Sequence, residues 1–231
     1  MKLAFVSEIY PSVQGEGPYT GERQIFLRMA GCPLRCTYCD TPGSLTPEGH
    51  QRLSVDDVVK EISRVQRETR IGTVSATGGE PLVYAPFLSE VFEALKKSNT
   101  RIYLETAGIH PESLAAVVDL CDVIAMDMKL PSATGQSYWS EHDRFLQVGA
   151  GKIFVKVVLD SKSKLDEVEK VISILKERST PPLLVLQPAT PIEPVTQAPT
   201  SDFVALSFAL AKAALPTVLV MPQQHKIWGV R

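Results

Sequence analysis

Three cysteines, Cys32, Cys36 and Cys39, crowd into eight residues of a chain that holds only four. Thiolates at this spacing in one compact loop can converge on one face of an iron–sulfur cube. A [4Fe–4S] cube ordinarily takes four cysteines, so three leave one iron with an open position, which is what a catalytic metal centre requires. A structural zinc ion completed by His50 or Cys121 would use the same thiols, although zinc sites usually carry a second ligand pair downstream and none follows here. Spacing alone leaves both metals open. Cys121 lies in the apolar stretch 117–124 and reads as a small buried hydrophobe rather than a ligand.

A second candidate is Thr77-Gly78-Gly79-Glu80-Pro81. Its glycines let backbone approach a bound molecule closely and Glu80 can hold a cationic amine, while the same residues in isolation also suit a strand-ending turn. Polar groups recur at the ends of other expected strands: Glu105-Thr106, Asp127 with Lys129, and Gln187-Pro188. Each alone is an ordinary cap or ion pair, but together they mark the rim on which parallel barrels build their sites.

The elements that must position these groups are legible as short apolar runs alternating with helical periods. Strands are expected at 25–29, 73–77, 102–106, 123–127, 153–159, 183–187 and 217–221, with an eighth near 3–6. Ser54 with Asp57 forms a capping signature ahead of Val55, Val58, Val59, Ile62 and Val65, and Ser163 with Asp166 repeats it ahead of Leu165, Val168, Ile172 and Leu175. Further helices are expected at 85–97, 111–120 and 201–214. Strand–helix alternation over this length predicts an α/β fold with a parallel sheet, either open or a full or partial (β/α) barrel, in a single domain over 1–231.

At 44% hydrophobic and 22% charged residues, the 231-residue chain can bury a core, which excludes general disorder. Lys and Arg total 24 against 26 Asp and Glu, so there is no basic field for nucleic acid. No apolar run suits a membrane span and Ser7-Glu8 interrupts any leader-like start, so a cytoplasmic, reducing location with thiols available to metal is expected.

Cys-x3-Cys-x2-Cys after the first of the seven strands, followed by Thr-Gly-Gly-Glu-Pro after the next, resembles the signature of the radical S-adenosylmethionine (SAM) superfamily. The resemblance implies a partial parallel barrel, a [4Fe–4S] cluster on Cys32, Cys36 and Cys39, and SAM on the open iron, cleaved reductively to a hydrogen-abstracting 5′-deoxyadenosyl radical. It further implies SAM contacts from Gly78, Gly79 and Glu80 to the amino group, Lys129 to the carboxylate, Glu105 to the ribose, Tyr38 near the adenine, and Asp127 and Gln187 on the same rim.

Outside that signature stand Ser7-Glu8-Ile9-Tyr10-Pro11-Ser12-Val13-Gln14-Gly15-Glu16-Gly17, Arg28, Asp40-Thr41, and Met221-Pro222-Gln223-Gln224-His225-Lys226. This set is similar to the 7-carboxy-7-deazaguanine synthase family of queuosine and deazapurine biosynthesis. The resemblance implies a lyase that contracts 6-carboxy-5,6,7,8-tetrahydropterin to 7-carboxy-7-deazaguanine and releases ammonia, after hydrogen abstraction at C6. It places Val13, Gln14, Gly15, Glu16, Thr77 and His225 at the pterin, Arg28 at the substrate carboxylate, and Mg²⁺ at Thr41, with Asp40 a weaker ligand and Lys226 closing over the site. A homodimer and an external electron donor are implied as well. A radical-generating activase acting on a partner protein, which has no reason for Gln14-Gly15-Glu16-Gly17, and a non-catalytic zinc module, which predicts one zinc per chain and no SAM binding, are the competing readings.

Overall fold

The computed structural model describes residues 2–192 and 196–230. Its strands are β1 (Leu3–Val13), β2 (Arg23–Met29), β3 (Gln51–Ser54), β4 (Thr73–Gly78), β5 (Arg101–Thr106), β6 (Val123–Asp127), β7 (Ile153–Leu159), β8 (Leu184–Pro188) and β9 (Val218–Val220). They form one sheet in the order β3-β1-β2-β4-β5-β6-β7-β8-β9. From β2 through β9 every neighbouring pair is parallel, so the seven expected strands are those of the parallel portion. The sheet is mixed and open, because β1 runs antiparallel to both β2 and β3, and β3 and β9 remain as edges.

The helices are α1 (Val55–Thr69), α2 (Ala85–Lys96), α3 (Pro111–Ala115), α4 (Pro131–Thr134), α5 (Trp139–Val148), α6 (Leu165–Lys176), α7 (Ser201–Ala214) and α8 (Gln224–Trp228). Ser54 caps α1 in a reciprocal box with Asp57, and Val58, Ile62 and Val65 are buried, as their spacing requires.

Several expected boundaries move. β1 extends far beyond residue 6 because the hairpin with β2 continues across a register shift between Val6 and Glu8. The helix expected to reach 120 ends at Ala115, where i→i+3 bonds such as Val117 N–H to Leu114 O tighten the chain into turns. Ser163 does not cap α6. Its hydroxyl is taken by Asp160, and Lys164 becomes the N-cap residue, its N–H donating to Glu167. The short, polar edge strand β3 and helices α4, α5 and α8 go beyond the expected elements.

Strand alternation sorts the two faces of the sheet. Leu27, Val74, Ile102, Ile124, Val155 and Leu184 are wholly buried in the main core, which they share with Val58 and Ile62 of α1 and Leu88, Val91 and Phe92 of α2. The opposite face carries a smaller cluster of Tyr103, Val123, Ala125, Phe154 and Val185. Two residues further along the same strands and on that same face come Glu105, Asp127, Lys156 and Gln187. The inner face thus changes from apolar to polar toward the C-terminal strand ends, and the site lies there.

Candidate functional site

A cavity of about 480 Å³ opens over these strand ends. Cys32, Cys36 and Cys39 line it from the loop after β2, all half-buried and none in a disulfide. Gly31, at φ +106°, turns the chain off β2 into that loop. Its N–H donates to Ser44 O at 2.8 Å and that of Cys32 to Leu45 O at 3.0 Å. Burial pushes the Cys32 thiol up to about 11 and raises Cys36 as well, so the protein alone does not stabilise the thiolate of either.

The Gly-Gly-Glu segment is bonded to the base of this loop: Gly79 N–H donates to Met29 O at 3.0 Å and Glu80 N–H to Gly31 O at 2.9 Å. A Cβ on Gly79 would stand 2.2 Å from Gly31 O, and one on Gly78 2.2 Å from Met29 O. These glycines are therefore needed for the two motifs to meet. Glu80 departs from expectation. It is fully buried and does not line the cavity, and its carboxylate accepts from Leu82 N–H, the Thr106 hydroxyl and Ala107 N–H. Of this motif, Gly78 and Gly79 line the cavity and Glu80 does not.

Beside the cysteines, Lys129 lies over the Tyr38 ring at 5.0 Å and pairs with Asp127 at 2.8 Å. Burial alone would raise the Asp127 pKa, but Lys129 and Lys156 outweigh it and hold the carboxyl below its usual range. The Tyr38 hydroxyl, Asp127 Oδ1 and Gln187 Oε1 are buried without a protein partner. Native interiors rarely leave such atoms unpaired, and these three residues all face the cavity. They suit a ligand rich in hydroxyl and amine donors.

The other side of the cavity is built from the turn after β1 and from α8. Gln14 donates to Glu105 Oε1 at 2.8 Å and the Thr77 hydroxyl donates to Oε2 at 2.6 Å, so Glu105, expected at a ribose, already orients two other candidates. Gly15 admits α8: its carbonyl accepts from Gln224 N–H, and a Cβ would meet the His225 ring at 2.3 Å. Glu16 pairs with Lys156 and accepts from Gln223 at 2.8 Å. Gln223 also reaches Asp40 at 3.0 Å, and Lys226 stands 3.3 Å from the same carboxylate. Burial would raise Asp40, but Lys226 and Lys156 bring it below its ordinary value. Arg28 donates to Glu8 at 2.8 Å and Tyr10 at 2.5 Å. Val13, Arg28 and Thr41 also stand on the wall.

Cys121 is buried in the main core and His50 bonds Gly43 O, both off this cavity, so neither completes a zinc site with the triad. Among the described residues, Glu16, Asp40 and His225 form the one group of three potential ligands with atoms all within 4.8 Å. The three thiols do not all lie within that distance of one another, whereas Zn–S bonds of about 2.3 Å hold thiolates closer together. Sequence reasoning missed Lys156 and left Gln223 without a role. A lone lysine between Phe154 and Val158 in an apolar strand was the available signal for the first.

An open sheet that gathers three thiols and a glycine-lined turn at its C-terminal edge is the architecture of a radical SAM enzyme, and the Radical SAM superfamily model matches residues 26–187. The chain is 31% identical to the 7-carboxy-7-deazaguanine synthase of Geobacter sulfurreducens, covering 98% of this chain and 97% of that one. It is 35% identical to that of Methanopyrus kandleri, covering 96% and 92% respectively. The solved structure of QueE from Escherichia coli shares the fold, at a TM-score of 0.68 and 20% identity over 96% of this chain and 95% of that one. The chain belongs to the 7-carboxy-7-deazaguanine synthase family, and so to the lyases that work with a [4Fe–4S] cluster and SAM. Its fold is the partial parallel (β/α) barrel of that superfamily. Among the described residues no helix is long and apolar enough to cross a membrane.

Proposed function

We propose that the chain converts 6-carboxy-5,6,7,8-tetrahydropterin to 7-carboxy-7-deazaguanine with release of ammonia, assisted by Mg²⁺. The observation that carries this reading is a single cavity with the three thiols and three unpaired polar atoms on one side and the Gln14–Glu16 turn on the other. Cys32, Cys36 and Cys39 would hold the cluster. Tyr38, Gly78, Gly79, Asp127, Lys129 and Gln187 would hold SAM, with Glu105 at the boundary and Glu80 fixing the motif from behind. When bound, the pair supplies one-electron cleavage of SAM and hydrogen-atom abstraction.

On the opposite wall, Gln14, Glu16 and Thr77 offer acceptors and donors to match a pterin edge, with Val13, Gly15 and His225 shaping the pocket and Arg28 offering its cation to the substrate carboxylate. Magnesium prefers hard oxygen ligands, and Thr41 with Asp40 supplies them beside the cluster loop. This reading treats residues 1–231 as one functional unit that is cytoplasmic, homodimeric and served by an external electron donor. Anaerobically reconstituted protein given SAM, reductant, Mg²⁺ and the carboxytetrahydropterin should yield 5′-deoxyadenosine and the deazaguanine; absence of both products refutes the assignment.

A further inference from the structure

Lys156 touches both sides of the cavity through two buried carboxylates. It lies on β7 as the register partner of Asp127 on β6, with Nζ 3.1 Å from Asp127 Oδ2. The same ammonium pairs with Glu16, which belongs to the turn after β1. All three side chains are at most one-fifth exposed. Without Lys156, two buried carboxylates would face each other across one gap with no cation between them. Lys129 would still hold Asp127, and Gln223 would still hold Glu16, but neither residue bridges the two.

We propose that Lys156 is a positioning residue shared by the two halves of the site, holding Asp127 and Glu16 in place, so that one side chain sets affinity for both SAM and the pterin. This rests on the functional reading above, which puts Asp127 on the cofactor side and Glu16 on the substrate side.

The test uses full-length, iron-loaded protein under anaerobic conditions without reductant, so that neither ligand is consumed. SAM and the carboxytetrahydropterin are titrated separately by calorimetry. Glu16→Gln should weaken the pterin alone and Asp127→Asn should weaken SAM alone. Lys156→Gln should weaken both, by about tenfold each, as expected when a buried charge loses its partner. Adding Glu16→Gln to Lys156→Gln should cost less pterin affinity than Glu16→Gln does in the native background, whereas a packing role would leave the two losses additive. Lys156→Met serves as a second neutral variant if the glutamine does not fold, and Lys156→Arg should recover both affinities together. Loss confined to one ligand would make Lys156 a direct contact of that ligand and overturn the proposal, as would two unchanged affinities or additive losses. If Glu16→Gln and Asp127→Asn show no selectivity, the functional reading fails and takes the proposal with it.

Discussion

The two walls of the cavity differ in how they satisfy their polar atoms. On the cysteine side, the Tyr38 hydroxyl, Asp127 Oδ1 and Gln187 Oε1 are buried without partners. On the opposite side, Glu16, Gln14 and Arg28 are each engaged by protein groups. An unpaired buried acceptor costs about 1–3 kcal/mol, whereas exchanging one satisfied hydrogen bond for another returns only about 0.5–1.5 kcal/mol. The half proposed for the cofactor is therefore built for a ligand that supplies missing donors. The half proposed for the substrate must trade existing contacts, and selects by geometry more than by raw affinity.

Substitution at a thiol should separate the halves most sharply. Cys36→Ser removes one of three ligands, and we expect loss of the cluster's visible absorbance and activity below detection, with the fold retained by circular dichroism. Retention of a full complement of iron would break the distinction. Next in size is Gly79→Ala, because the new methyl would meet Gly31 O at 2.2 Å and Ser44 O at 2.8 Å, both backbone atoms that cannot swivel away. Overpacking of this kind should cost about 3 kcal/mol in denaturant unfolding of the apoprotein. Gly43→Ala, with open space around it, is the control and should unfold as the native chain does.

The sequence shows the cysteine half more clearly than the other. Its groups sit in contiguous motifs or at the ends of apolar strands, so Cys32 to Cys39, Gly78-Gly79 and Asp127 are visible as soon as the strands are recognised. The parallel strands are equally plain, since each is a short β-branched run bounded by turn residues. The opposite wall is assembled from segments 207 residues apart, as in the bond between Glu16 and Gln223, and no local period encodes such a meeting. Glu80 misleads for a related reason. Its motif suggests a ligand contact, but only the fold shows the side chain turning inward to Thr106 and Ala107. Edge strand β3 is short and polar and lacks the pattern by which strands are recognised.

His142 sharpens what an orphan atom means. It lies behind the cysteine half, fully buried, and its Nε2 can donate to Ala107 O at 3.2 Å, while Nδ1 has no partner and no access to the cavity. Burial lowers its pKa from 6.5 to about 4. The unfolded chain therefore binds a proton below pH 6.5 that the native chain refuses until about pH 4, so stability falls as pH drops through that window. The slope approaches about 1.4 kcal/mol per pH unit and the total is roughly 3 kcal/mol. Asp40 and Asp127, held below the usual carboxylate range, add their own losses only below about pH 4. Denaturant unfolding at pH 7 and pH 4.5 should show this slope in the native protein and a flatter one in His142→Gln. An equal slope in both would assign the acid sensitivity elsewhere.

Gln223→Ala probes the self-satisfied wall and should have the smallest effect. The amide nitrogen joins Glu16 Oε1 at 2.8 Å and Asp40 Oδ2 at 3.0 Å, tying the turn after β1 to the cysteine loop. Both carboxylates keep a lysine when it is removed, Lys156 for one and Lys226 for the other, so neither is left as an unpaired charge. The loss is then that of ordinary hydrogen bonds, about 1 kcal/mol, or roughly fivefold in kcat/KM. It should appear in KM for the pterin rather than in kcat, because the contact orders the pocket before chemistry begins. SAM affinity should not change, since Gln223 reaches none of the unpaired acceptors beside the cysteines. A matching loss of SAM affinity would mean that the two walls move as one, and that their difference in bonding does not divide the labour between them.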